Sequence, residues 1–180
     1  AALAEIPFSA TLPYTQMVLE YVEQHLAVPA GFSLYGIEDA LLPCYNAILT
    51  EAYCKLGLAE TPAAQYGIKW ILKYQRFERG TPTLWQGKGI QKYGGCLKET
   101  PCYIGIAKAA KALGSYHMAT GGANTAAGKK LQQVMDYILP HKLYQRLSGG
   151  NPINNNALDP AFPPSYHFII FELLVFAPTT

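Results

Sequence analysis

One short pattern occurs three times in this chain, and it constrains the fold more than any other feature. It reads PCYNAIL at residues 43–49, PCYIGIA at 101–107 and PSYHFII at 164–170. The copies begin 58 and 63 residues apart, which is longer than a typical solenoid repeat. Proline is favoured in the first turn of a helix, and an apolar run of this kind suits a buried helix. The pattern predicts that each copy begins a helix of the same kind.

Helical signals dominate the remainder of the chain as well. Gly57 and Gly114 are predicted helix stops, and Asn124 or Thr125 is a predicted N-cap. No alternating apolar and polar run with hairpin turn signals is present, so no strands are predicted. The predicted helices span about 13–27, 43–57, 62–77, 101–114, 124–142 and 164–177.

Two kinds of helix alternate along the chain. Those that begin near 43, 101 and 164 are apolar nearly all round, and such a helix must be buried on all sides. Those near 13, 62 and 124 are amphipathic and can lie outside the buried ones. The sequence therefore predicts an all-α fold, with residues 1–180 forming a single domain. Its architecture is an α/α toroid-like array of about three hairpins, with apolar inner helices covered by amphipathic outer ones.

The apolar face of the first amphipathic helix can be assigned from its periodicity. Its members recur with the spacing of one helix face. They are Met17, Val18, Tyr21, Val22 and His25 or Leu26. We expect this face to pack on the inner helices.

The charge and hydropathy of the sequence limit the kinds of partner that the protein could bind. Only 14% of the residues are charged and the net charge is +2, so a nucleic-acid partner is not expected. No apolar run approaches the roughly 18 residues that would span a bilayer.

Four cysteines, at 44, 54, 96 and 102, form no dense disulfide framework, which indicates reduced thiols and favours a cytoplasmic setting. The opening AALAEIP reads like the tail of a helix, so we expect a fragment of a larger protein.

A family resemblance rests on three stretches of this sequence. They are CYNAILTEAYCKLGLAETPAAQYGIKWILKYQ, GKGIQKYGGCLKETPCYIGIAKAAKAL and the more distant KLYQRL. Together they resemble the squalene-cyclase and protein-prenyltransferase repeat superfamily, and most of all its uncharacterised prokaryotic members. The resemblance implies an α/α toroid that binds an apolar, isoprenoid-like small molecule. The full barrel of that family needs about twice as many hairpins, so the chain would be half a toroid. It would be completed by a missing part or by a second copy in a homo-oligomer.

The residues that give this superfamily its activities are only partly present. The Asp-x-Asp-Asp acid of the cyclases and their Gln-x3-Gly-x-Trp motif are both absent. Protein prenyltransferases hold zinc through an Asp-x-Cys pair that opens one inner helix and a His that opens the next. Cys102 and His167 partly match this pattern, although Thr100 stands where the acid should be and Glu99 is one position away. The resemblance thus implies a possible zinc site at Cys102 and His167, and the alternative is that both residues only pack at helix ends.

The helix ends themselves suggest a ligand site. If the inner helices run parallel, the three copies of the pattern begin at one end of the array, where helix N-termini favour anions and lower thiol pKa values. The predicted ligand-binding residues are Cys44, Tyr45, Cys102, Tyr103, Ser165, Tyr166 and His167. The alternative is that Pro-Cys-Tyr simply starts each helix and packs it.

Two other functions remain open at the level of sequence. Curved helical arrays present concave surfaces to partners, so the chain could be a non-catalytic interaction module. α/α barrels also carry sugar hydrolases and lyases, which need two carboxylates at a set distance. Acidic residues precede the inner helices, but no pair can be given catalytic roles: Glu38, Asp39, Glu99 and Asp159. The sequence therefore leaves open whether the protein is an enzyme.

Overall fold

Helices account for most of the structure, a computed structural model that describes residues 1–81, 83–92, 100–159 and 170–175. The α-helices are α1 (Pro13–His25), α2 (Pro43–Lys55), α3 (Pro62–Tyr74), α4 (Gly89–Lys92), α5 (Tyr103–Ala119), α6 (Thr125–Ile138) and α7 (Ile170–Leu174). Short 3-10 helices span Ala2–Glu5, Ser9–Thr11, Glu38–Ala40 and Leu139–His141. Two strands, β1 (Ala27–Val28) and β2 (Gly31–Phe32), complete the described secondary structure.

Most helix boundaries follow from local chemistry. Pro43 and Pro62 occupy the first residue of α2 and α3, as predicted. Gly57, with a φ of 77°, follows the end of α2, and such a left-handed residue commonly ends a helix. The side chain of Asn124 accepts a hydrogen bond from the amide of Ala127 at 3.0 Å, which confirms the predicted cap of α6.

The boundaries predicted for α5 are wrong at both ends. Pro101 lies outside the helix, which begins at Tyr103, and the helix continues through Gly114 to Ala119. The additional turn is held by Tyr116, which is 4% exposed and accepts a hydrogen bond from the side chain of Gln65. The helix ends only before Gly121 and Gly122, whose φ angles are positive.

The prediction of no strands is also wrong, because β1 and β2 form a two-residue antiparallel hairpin. The amide of Phe32 donates a 2.9 Å hydrogen bond to Oδ1 of Asn46, which fastens the hairpin to α2. Nδ2 of Asn46 donates to the carbonyl of Gly67 at 3.2 Å and so joins α2 to α3. A side chain at Gly31 would collide with Asn46, and this position has a φ of 129°, so both conditions require glycine.

The two inner helices that the structure describes in full are α2 and α5, and they run parallel. Near their starts, a Cβ placed on Gly105 would lie 3.5 Å from Pro43, and further along Lys111 is 3.2 Å from Glu51. Eight residues of α2 and thirteen of α5 are buried, as predicted for inner helices. α3 packs on α2, and α6 packs on α5.

The third predicted hairpin cannot be followed in the same way. Residues 160–169, which include the start of the predicted helix at 164–177, lie outside the described part of the chain. Within that part, α7 contacts α5 and buries Leu173 completely. The all-α prediction is thus confirmed in its coarser form, as a mostly helical fold with one small hairpin.

The buried face of α1 matches the predicted one only in part. Val22 is buried as predicted, and Val18 and Leu26 pack against the same buried cluster. Met17 and Tyr21 are instead 65% and 59% exposed, while Thr15 and Leu19 are buried. The hydroxyl of Tyr53 on α2 lies 3.4 Å from the carbonyl of Leu19, so the rotation of α1 is set by its contact with α2. The predicted apolar face is thus confirmed at Val18, Val22 and Leu26 and wrong at Met17 and Tyr21.

None of the helices that the structure describes combines the length and hydropathy of a membrane-spanning segment.

Candidate functional site

The predicted site at the N-terminal ends of the inner helices is only partly within the described residues. Cys44 and Cys102 lie at the same end of the parallel pair, since Gly105 adjoins both of them. Cys44 is buried, while Tyr45 and Cys102 are half-buried. Burial, and then the nearby Tyr21, raise the pKa of Tyr45. The structure thus brings the first two copies of the pattern together, as the parallel arrangement requires.

The third copy supplies the remaining predicted residues. Ser165, Tyr166 and His167 lie outside the described part of the chain. The proposed zinc pair of Cys102 and His167 therefore stays a prediction, as does the ligand role of all three residues. Among residues 1–81, 83–92, 100–159 and 170–175, no group of three or more His, Cys, Asp or Glu side chains is arranged to hold a metal ion.

Tyr103 is directed into the fold rather than toward an opening. Its hydroxyl donates a 2.7 Å hydrogen bond to the carbonyl of Leu143, and its ring packs edge-on against His141. Tyr137 on α6 contacts the same ring, so Tyr103 joins the start of α5 to the end of α6. Burial raises the pKa of the Tyr103 phenol. These contacts are those expected of a packing residue.

A cavity of about 480 Å³ lies at the other end of the same helices. Its wall is formed by the last turns of α2 and α5, by α7 and by the 3-10 helix Ala2–Glu5. Met118 and Val175, which are 69% and 70% exposed, border it on the solvent side. The lining residues are Glu5, Cys54, Lys55, Lys111, Ser115, Met118, Ala119, Glu172 and Val175.

A chain of alternating charges runs along one side of this cavity. Lys55 Nζ lies 2.6 Å from Glu5 and 2.8 Å from Glu51. Lys111 Nζ lies 3.2 Å from Glu51 and 2.5 Å from Glu172. The second oxygen of Glu172 is 3.3 Å from Lys108 Nζ. The order from the half-buried end inward is Glu5, Lys55, Glu51, Lys111, Glu172 and Lys108.

The inner members of this charge chain are almost completely withdrawn from water. The side chains of Lys108 and Lys111 are 2% and 5% exposed, and those of Glu51 and Glu172 are 7% exposed. Burial, followed by the charge of Lys111, lowers the pKa of Lys108 despite the opposing effect of Glu172. Lysine and glutamate are rarely buried without partners, so each group depends on its neighbours for stability.

The apolar side of the cavity has a different chemical character. Cys54, Met118, Ala119 and Val175 line it. Burial, and then Glu51 and Glu60, raise the pKa of the Cys54 thiol to about 12. The thiolate is the reactive form of cysteine, so Cys54 contributes an inert, apolar surface at neutral pH.

Sequence reasoning did not identify this cavity or its charges. The sequence predicts a helix at 101–114 that is apolar nearly all round, although this segment carries Lys108 and Lys111. A helix that is buried on all sides and bears two lysines one turn apart must have buried acidic partners. That signal was available in the sequence, but the identity of the partners was not, because Glu51 and Glu172 are about sixty residues away on either side.

Comparison with known proteins adds no further assignment. No protein-family model, no curated protein and no solved structure matches this chain.

Proposed function

We propose that this protein is a small-molecule-binding helical domain whose ligand has an apolar, isoprenoid-like or alkyl body. The observation that carries the proposal is the cavity of about 480 Å³ at the C-terminal ends of α2 and α5. Small-molecule sites typically have volumes of about 300 to 1,000 Å³, with mostly apolar walls and a few polar groups that fix orientation. Met118, Ala119 and Val175 supply such a wall, and Lys55 and Lys111 supply such polar groups.

This location differs from the one expected at the N-terminal ends of the inner helices. There, Cys44 and Tyr103 are buried and Tyr103 is used in packing. The proposal keeps the toroid-like architecture, which is supported by two parallel inner helices that are each covered by the following helix. It moves the ligand to the opposite end of those helices.

Calorimetric titration with farnesol and with dodecanol tests the proposal. We expect wild-type protein to bind at least one of these probes, and Ala119→Trp to bind it much more weakly, because Ala119 lines the cavity and the indole would take up part of its volume. The matched control is Ala126→Trp, which places the same side chain at an exposed position on α6. Equal binding by both variants would contradict the location, and the absence of binding by wild-type protein would contradict the proposed function.

A second candidate function is an interaction module that pairs with another copy of this chain through α1. The observation that favours it is an exposed stripe of Tyr14, Met17 and Tyr21, at 66%, 65% and 59%, with Phe8 at 90% in the preceding segment. Aromatic residues and methionine are enriched in protein interfaces, and contiguous exposed apolar surface is uncommon on monomers. A two-fold contact between two copies of α1 would bury this stripe on both.

Light scattering over a range of protein concentrations tests this second candidate. A dimer that is dissociated by Tyr21→Glu but not by Gln24→Glu would support it, since both substitutions add one negative charge to exposed positions on α1. A wild-type protein that stays monomeric at the highest concentration would exclude it.

A further inference from the structure

Lys108 and Lys111 hold a single carboxylate between them. They stand one turn apart on α5, and Glu172 gives one oxygen to each: Oε1 lies 2.5 Å from Lys111 Nζ and Oε2 lies 3.3 Å from Lys108 Nζ. Two ammonium groups that face one carboxylate form a site with the geometry and charge to recognise a carboxylate. Lys111 also lines the cavity, so this site is reached from the proposed ligand volume.

Glu172, which supplies the carboxylate, lies on a much shorter helix than the two lysines. Lys108 and Lys111 belong to the central helix α5, whereas Glu172 belongs to the five-residue helix α7. Within the described residues, α7 is anchored by the fully buried Leu173, while the following Leu174 and Val175 are exposed. Glu172 and Val175 both line the cavity, so a movement of α7 would change the charged and the apolar walls together.

We propose that Lys108 and Lys111 recognise the head group of a long-chain carboxylate, and that Glu172 occupies their site when no ligand is bound. This inference rests on the proposed small-molecule function and names the class of ligand. The alkyl chain lies against Met118, Ala119 and Val175, and the ligand carboxylate replaces that of Glu172. The exchange is non-covalent and leaves the net charge at the two lysines unchanged.

Conservation of charge at the two lysines permits the exchange. Removal of the Glu172 carboxylate from two buried ammonium groups is destabilising, so a neutral head group could not displace Glu172 without that cost. A carboxylate replaces the same ionic contacts, and the released Glu172 regains hydration at the protein surface. The internal occupant therefore lowers the affinity for an acid and stabilises the protein in the absence of ligand.

Glu172→Gln separates this role from a purely structural ion pair. Loss of the competing carboxylate should make the variant less stable than wild-type protein, and also able to bind dodecanoate roughly tenfold more tightly. Affinity for dodecanol should not change. A purely structural role for Glu172 predicts the loss of stability without any gain in affinity.

The experiment is a calorimetric titration with dodecanoate and dodecanol, each below the concentration at which it aggregates. Lys111→Met should remove the preference for the acid, while Lys129→Met, which removes a lysine from an exposed position on α6, should retain it. Glu172→Asp gives a second variant if Glu172→Gln does not fold. The shorter side chain keeps the charge but holds the lysines less closely, so an intermediate gain in affinity is expected.

Each outcome has a distinct meaning. Equal dodecanoate affinity in wild-type protein and in both Glu172 variants, with dodecanol binding intact, would overturn this inference and leave the cavity proposal standing. No binding of either probe to any of the proteins would overturn both. Tighter binding of dodecyl phosphate than of dodecanoate would show that the lysine pair selects a phosphate head, which would overturn the assignment to a carboxylate.

Discussion

The ionic contact between Lys111 and Glu51 is expected to stabilise the parallel pairing of α2 and α5. It is the charged link between the two inner helices near the cavity, at 3.2 Å, and both side chains are less than a tenth exposed. Glu51 Oε1 lies within ionic distance of Lys55 as well as Lys111. A double-mutant cycle of Lys111→Met and Glu51→Gln measures the contribution of the contact between Lys111 and Glu51.

The strength of the contact between Lys111 and Glu51 follows from its distance and its burial. At 3.2 Å and an effective dielectric constant of about 20, the gross attraction is about 5 kcal/mol, which is an upper limit because desolvation opposes it. Removal of one partner of a buried pair costs about 3 to 5 kcal/mol, so Lys111→Met should destabilise the protein by this amount. Each group also has a second partner, so we expect a coupling energy of roughly 2 kcal/mol in the cycle.

Urea unfolding of the four proteins, monitored by circular dichroism, gives the coupling energy. The control is the exposed pair Gln132 and Asp136 on α6, whose side chains are 2.8 Å apart. Its cycle should give about 0.2 to 0.5 kcal/mol, as is usual for such helix-surface pairs. A coupling energy for Lys111 and Glu51 that is no larger than that of the control would refute the electrostatic account of how α2 and α5 are joined.

Four further predictions concern packing and ionisation, and each is checked by equilibrium unfolding. Asn46→Ala should cost about 2 to 5 kcal/mol, because it leaves the Phe32 amide and the Gly67 carbonyl without their partner. Gly67→Ala should cost about 1 to 3 kcal/mol, because its Cβ would lie 2.1 Å from Oγ1 of Thr50. Gly128→Ala, whose Cβ would make only a 3.7 Å contact with His117, should be neutral or stabilising. Above pH 9 the Cys54 thiol ionises in the unfolded chain but stays protonated in the folded one until its pKa of about 12, so wild-type protein should lose more stability over this range than Cys54→Ala. A destabilised Gly128→Ala, a neutral Asn46→Ala or an unchanged pH dependence in Cys54→Ala would contradict the respective argument.

Local signals in the sequence were sufficient for much of the helical framework. Pro43, Pro62 and Asn124 act within a single turn, so their positions predict helix starts without knowledge of the tertiary structure. Gly114 failed as a helix stop because the helix is continued by the packing of Tyr116, which is a tertiary contact. The hairpin of β1 and β2 was missed for a similar reason, since a two-residue pairing has no periodicity and is held by Asn46 on another element.

The location of the site depends on contacts that the sequence does not contain. The exposed position of Met17 and Tyr21 results from the rotation of α1 against α2, which periodicity alone leaves undetermined. The repeated pattern lies at the starts of α2 and α5, whereas the cavity lies where these helices end. Lys108 and Lys111 could have been recognised as groups in need of partners, but only the structure identifies Glu51 and Glu172 as those partners.

The most direct test of the account is methyl NMR of the three methionines during a titration with dodecanol. Met118 borders the cavity, Met17 lies on the exposed stripe of α1, and Met135 is buried in the core. The account predicts that the Met118 methyl signal shifts in a saturable way while the other two signals stay in place. A shift at Met17 alone, or no shift at any of the three, would contradict a small-molecule site at the C-terminal ends of the inner helices.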